Sequence, residues 1–115
     1  MANTSLGLDE NIEGALCYVL GIITGVLFLI LEKESSYVKF HAWQSILFGV
    51  AVIVINIILS ILAFIPYVGI LVGIISMIFS LLVLVLWLFL IWKAYSGEKY
   101  KLPIIGDYAE QYASK

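Results

Sequence analysis

From Ile46 to Trp92 the chain carries no formal charge and no histidine. That absence excludes most self-contained pumps and voltage sensors, which usually place an ionisable group at mid-membrane. Cysteine is nearly missing as well. Cys17 stands alone in an apolar run, so no intrachain disulfide can form. His41 is the one histidine, too few for a His/Cys metal centre. The opening stretch MANTSLGLDENIE contains no Lys or Arg. A cleavable secretory signal needs a basic start, so the first apolar run is expected to stay in the mature protein. A net charge of −2 gives no basic field for nucleic acid.

What the chain has is apolar length. It is 63% hydrophobic and only 12% charged over 115 residues, with a mean hydropathy of +1.13. Soluble domains are nearer half apolar and a quarter charged. A first apolar run covers residues 14–31 and closes on Glu32-Lys33-Glu34. At helical rise it crosses roughly 27 Å, close to the ~30 Å of a hydrocarbon core. The charge-free run is too long for one span and fits two, at 46–65 and 68–92, divided at IPYVG by Pro66 and Gly69. Ser35 or Ser36 can cap a second helix that begins near Tyr37, with its first turns in the interface. The expected fold is therefore an all-α integral membrane protein with three transmembrane helices, an interfacial extension of the second, and a cytoplasmic tail. Residues 1–13 form an outer segment. Residues 14–115 form the membrane domain, with a loop at 32–45 and a tail at 93–115.

Three spans place the loop and the tail on one face. Lys33 and Lys39 lie in the loop, and Lys93, Lys99, Lys101 and Lys115 in the tail. The bias of basic residues toward the cytoplasm then predicts a multi-pass protein of the cell (inner) membrane, N-terminus outside and C-terminus cytoplasmic. Tyr37, Phe40, Trp43, Trp87, Trp92 and Tyr95 sit near the inner ends of the spans, where Tyr and Trp concentrate.

Small residues recur at helical spacing: Gly21 with Gly25 in GIITG, Gly69 with Gly73 in GILVG, and Asn56 with Ser60 on the second span. Close backbone approach matters in lipid, so these are candidate helix-packing positions. Packing within one protomer and a seam for an oligomer are both consistent with them. Asn56 is the lone amide deep in a span, read as an interhelical hydrogen bond or, less simply, a solute site. Glu13 reads as a polar edge facing water. Tyr37, His41, Gln44 and Phe48 share a helix face, which makes His41 an interfacial hydrogen-bonder. No catalytic, metal or cofactor residues are indicated.

Two polar motifs follow the spans. One contains Glu32-Lys33-Glu34 and Phe40-His41-Ala42 with Gln44 and Ser45. The other contains Ala94-Tyr95, Gly97-Glu98, Leu102-Pro103-Ile104 and Gly106-Asp107. Through these motifs nearly the whole chain from Asn11 resembles the small archaeal and bacterial membrane proteins grouped with the twenty-kilodalton channel subunit of the chloroplast inner-envelope translocon. That chloroplast relative has four spans. The resemblance implies that both motifs belong to one inner-face surface. The candidate site is therefore Glu32, Lys33, Lys39, His41 and Gln44 beside Glu98, Lys101 and Asp107. Charges of both signs could pair there, with the Leu102–Ile105 island folded back on the helix ends. The alternative is a solvated, disordered tail.

The expected role is non-enzymatic: an interaction or scaffold component, or a subunit of a larger membrane complex. Its partners would be the lipid bilayer and a second copy or another membrane protein. The alternative is a homo-oligomeric channel or small-solute transporter.

Overall fold

A computed structural model of the protein describes residue 7 and residues 9–114. It is all-helical, with α1 Glu10–Val19, α2 Ile22–Leu31, α3 Ser36–Leu62, α4 Gly69–Tyr95 and α5 Ile105–Ala113. Two helices, α3 and α4, are long and apolar enough to cross a membrane. Beyond their first or last turns nearly all of their side chains face outward, as lipid requires.

The first apolar run is not one span. It breaks at Gly21, whose φ of 62° and ψ of −125° lie in a region that glycine alone occupies without strain. Thr24 stitches the break. Its hydroxyl accepts from the Leu20 amide at 3.2 Å and donates to the Cys17 carbonyl at 3.0 Å. The Ser45 hydroxyl on α3 donates to the Gly21 carbonyl at 3.0 Å and fixes the turn in place.

The contacts show which way each half runs. Along α1, Gly14 meets Tyr37 and His41, Tyr18 meets His41 and Gln44, and the turn meets Ser45. Along α2 the order reverses. Ile22 lies on Gly49, Gly25 on Ala42 and Ser45, and Glu32 reaches Ser35. α1 is thus parallel to α3 and α2 antiparallel to it, a hairpin that leaves where it entered. Its depth from Glu13 to the turn is roughly 12 Å at helical rise, under half of a hydrocarbon core. The first arm of the hairpin is wedged between the long helices, since α1 packs on both α3 and α4 while those two touch each other less, and α2 lies against α3 alone of the two.

This corrects the expected three transmembrane helices to two, with a half-depth hairpin beside them. It also corrects the outer placement of residues 9–13, because Asn11 Nδ2 donates to the Tyr95 carbonyl at the tail end of α4. Every described charged side chain now lies at that one end. The opposite end is the connection at 63–68, AFIPYV, which has no charge and leaves Phe64 and Tyr67 fully exposed. Lys115 lies outside the described residues.

The packing glycines separate into different roles. Gly25 is a close-approach position, where a Cβ would come within 3.1 Å of the Ala42 carbonyl. Gly21 is the turn. Gly69 faces only the Ala63 carbonyl of its own connection, and Gly73 has open space around it. Asn56 and Ser60 bond along their own helix, to the carbonyls of Val52 and Asn56, and join no other helix.

The topology has a direct measurement. In a Cys17→Ser background, single cysteines at Asp9, Glu34 and Ser114 should all label from the same side of sealed vesicles. Tyr67→Cys should label only from the other. Labelling of Asp9→Cys opposite to Ser114→Cys would restore the single first span.

Candidate functional site

The charged end is organised around the first third of α3. Ser35 caps this helix, its hydroxyl oxygen accepting from the Val38 amide at 3.2 Å. Tyr37, His41 and Gln44 then point one way at helical spacing, and all three are buried. On one side of them stands Tyr18 of α1. On the other runs the backbone of the tail.

Their hydrogen bonds form one directed chain. The Leu102 amide donates to Gln44 Oε1 at 3.0 Å. Gln44 Nε2 donates to the Tyr18 hydroxyl oxygen and to the Tyr100 carbonyl, both at 2.9 Å. The Tyr18 hydroxyl lies 2.7 Å from His41 Nδ1. His41 Nε2 lies 3.1 Å from the Glu98 carbonyl. A carbonyl only accepts, so the Nε2 nitrogen carries the hydrogen and Nδ1 accepts a hydrogen bond from the Tyr18 hydroxyl. This pattern uses a neutral imidazole. Tyr37 adds a hydroxyl bond to the Ala94 carbonyl at 2.5 Å. The rings of Tyr37, Phe40 and Tyr18 meet the imidazole edge-on at 4.6, 5.1 and 5.5 Å. The tail at 98–102 is thereby clasped by buried side chains rather than by surface charge.

Beyond the clasp, α5 lies across α3. Gly106, Ala109 and Ala113 form its buried face, with Ala109 and Ala113 packed around Phe40, Trp43 and Leu47. Trp43 and Tyr112 stack at 4.9 Å. Gly106 is required by close approach: a Cβ there would stand 2.6 Å from the Lys101 Cα. Two ion pairs dress the outside, Lys93 with Glu98 at 2.7 Å and Lys101 with Glu110. Both lie within the segment running from the end of α4 to α5. The Lys99 amine sits over the Phe40 ring at 5.8 Å.

At the mouth of the hairpin two carboxyl groups meet inside the protein. Glu13 lies in the first turn of α1, Glu32 caps the end of α2, and both are fully buried. Glu32 Oε2 accepts from the amides of Glu34 and Ser35 at 3.0 and 2.9 Å. Glu13 hydrogen-bonds to Glu32. Burial, then the charge of Glu32 and the bond to it, then Glu10, push the Glu13 carboxyl up to about 7. Burial withholds water from its charged form, and the Glu32 charge beside it disfavours a second one.

The structure brings the two predicted segments to one end, but not through the expected charge pairing between them. His41 and Gln44 make the contact, and they make it to tail backbone. Glu32 is buried at the hairpin mouth. Lys33 and Asp107 are exposed, Lys39 is half-buried, and Glu98 and Lys101 are paired within their own segment. The expected loop at 32–45 is mostly the start of α3. Leu102 is buried while Pro103 and Ile104 are exposed, so only part of the apolar island folds inward. The sequence reading missed Tyr18, whose phenolic hydroxyl within an apolar run was the available signal. It placed Glu13 in water, where the structure buries it.

The profile of the family described as the magnetosome magnetite crystal formation protein family matches residues 9–109. A UPF0132 membrane protein of Methanocaldococcus jannaschii is 58% identical over 113 residues, covering 98% of this chain and 96% of that one. A UPF0132 membrane protein of Archaeoglobus fulgidus is 51% identical over 104 residues, covering 90% and 95%. No solved structure matches the chain.

Removing the clasp's amide should be severe. Gln44→Leu strands the Leu102 amide and the Tyr100 carbonyl, and should cost about 2–3 kcal/mol. Trypsin should then cut after Lys99 and Lys101 in detergent at a rate where the parent resists. Equal cleavage of both would mean the tail is held by α5 alone. Glu13 gives the pH dependence. Its folded pKa lies above the ordinary 4.5, so the folded state keeps a proton that the unfolded state releases. Melting temperature in detergent should fall as pH rises from about 4.5 to about 7, then level off. Glu13→Gln should flatten that decline; a slope unchanged in the variant would place its origin elsewhere.

Proposed function

The chain belongs to the magnetosome magnetite crystal formation protein family, and we propose that it acts as a membrane-held scaffold, an interaction component of a larger membrane complex. One observation carries the reading. The Gln44–Tyr18–His41 clasp fixes a mixed-charge platform, made of the starts of α1 and α3, the tail and α5, to one end of two apolar helices. A rigid platform of alternating sign suits recognition of a polar partner surface, since complementary charge steers and orients docking. Lys39, Glu34 and Asp107 are the side chains it offers. The family's description speaks of magnetite crystal formation; this reading takes from it only organising work at a membrane. The translocon resemblance contributes no import activity to it.

The clustering of lysine at this end supports a cytoplasmic platform. With the hairpin, α1 begins on the same side as the tail, so the first helix shares the tail's side in this reading. The channel alternative needs a continuous polar stripe along the spans. Thr24 and Ser45 are consumed in the hairpin turn. Between Ser45 and Asn56 the helix α3 carries only apolar residues. Both facts favour the scaffold.

Purification in mild detergent from the native host should recover a stoichiometric partner. Lys39→Glu with Asp107→Lys should lose that partner while the melting temperature stays unchanged. Ion or solute flux through liposomes containing this chain alone would overturn the scaffold reading in favour of the channel.

A further inference from the structure

Asn56 is in the wrong solvent for its side chain. It lies ten residues beyond Ile46 on α3, about 15 Å deeper at helical rise and close to the midplane of a ~30 Å core. It is exposed there. Its Nδ2 has one bond, at 3.0 Å, to the Val52 carbonyl one turn back. The hairpin stops short of it, since Ile22 at the turn meets α3 at Gly49. Hydrocarbon offers neither donors nor acceptors, so an amide left facing lipid is unfavourable.

The surroundings of Asn56 have a shape. Ile53, Asn56, Ile57, Ser60, Ile61 and Phe64 line a groove of about 350 Å³. Five of them belong to α3, at the i, i+3, i+4, i+7, i+8 spacing of a single helix face, and Phe64 of the connection that follows closes its end. This is one half of a helix–helix contact, with its polar group in the middle and apolar side chains above and below.

We propose that this face of α3 is the interface with a second copy of the chain, the two α3 helices crossing at Asn56 about a two-fold axis. A primary amide is self-complementary. It carries donors and an acceptor, so two of them related by a two-fold satisfy each other in both directions, Nδ2 of each donating to Oδ1 of its partner. A lipid chain fills the groove without meeting the amide. A different protein would need a matched donor and acceptor at the same depth, whereas a second copy supplies both by symmetry. The Ile53, Ile57 and Ile61 side chains then interdigitate along the seam, and the Ser60 hydroxyl, donating to the Asn56 carbonyl at 2.8 Å, keeps an oxygen free to accept across it. The proposal requires α3 to lie in hydrocarbon and does not depend on the scaffold reading. The pairing would set two platforms side by side on the same face of the membrane.

Disulfide cross-linking in native membranes tests it, in a Cys17→Ser background that leaves Asn56 intact. Ile57→Cys should give a covalent dimer of this chain under mild oxidation. Ile55→Cys, on the opposite side of α3, should not. Asn56→Leu combined with Ile57→Cys should weaken dimerisation by about tenfold, the effect of losing an intramembrane amide pair, with Asn56→Gln restoring part of it. Equal cross-linking from Ile55→Cys and Ile57→Cys, a cross-link only to another protein, or a dimer fraction unmoved by Asn56→Leu would each overturn the proposal. The first and last would leave the groove to lipid.

Discussion

Gly21 turns the chain around at less than half the depth of a bilayer, and the rest of the arrangement depends on that reversal. A straight helix over the same residues would carry Asp9, Glu10 and Glu13 out through the far surface. The turn returns them to the side where the other ions lie. It also delivers Tyr18 to the level of His41 and Gln44. It brings Glu13 against Glu32, and it wedges α1 between α3 and α4, each of which packs on α1 more than on the other. The backbone groups freed at the break are not left to lipid, since Thr24 and Ser45 engage the Cys17 and Gly21 carbonyls.

The clasp shows why polar side chains can be buried at this end without loss. Both functional atoms of the Gln44 amide are bonded, and each ring nitrogen of His41 has a partner. A buried network satisfied in this way rigidifies the region it joins, whereas a partly satisfied one would be worse than an apolar core. The tail therefore takes its position from backbone bonds to buried side chains. Its surface ion pairs, exposed and internal to one segment, contribute little by comparison.

Much of this was legible in advance. The charge-free run, the Pro66–Gly69 punctuation and the Ser35 cap correctly gave α3, α4 and their connection. The lysine distribution correctly grouped the start of α3 with the tail, and α5 answers the question of whether the tail is ordered. The hairpin was hidden for a physical reason. Eighteen apolar residues have the length of a span whether or not they are straight, and hydropathy does not register a backbone angle. GIITG read as a packing motif because both of its glycines have the same composition signal. Only Gly25 makes a close approach, while Gly21 supplies the positive φ. The depth of Tyr18, Glu13 and Gln44 depended on that turn, so the clasp and the carboxyl pair could not be read before it. Gly106 stood in a quoted motif, but the Lys101 backbone that forbids a side chain there is visible only once the tail is folded.

The connection between α3 and α4 is AFIPYV, free of any ion. For biogenesis this means that α3 and α4 can enter a bilayer together as a closed pair, with their joint leading. Moving a single charge through hydrocarbon is the largest obstacle to membrane insertion, and among the described residues nothing charged has to make that crossing. The hairpin of α1 and α2 follows the same rule, since its leading turn is Leu20-Gly21 and its ions trail behind. The assembly of the fold therefore needs no membrane potential to pull a segment across, and the side on which synthesis leaves the lysines is the side on which they stay.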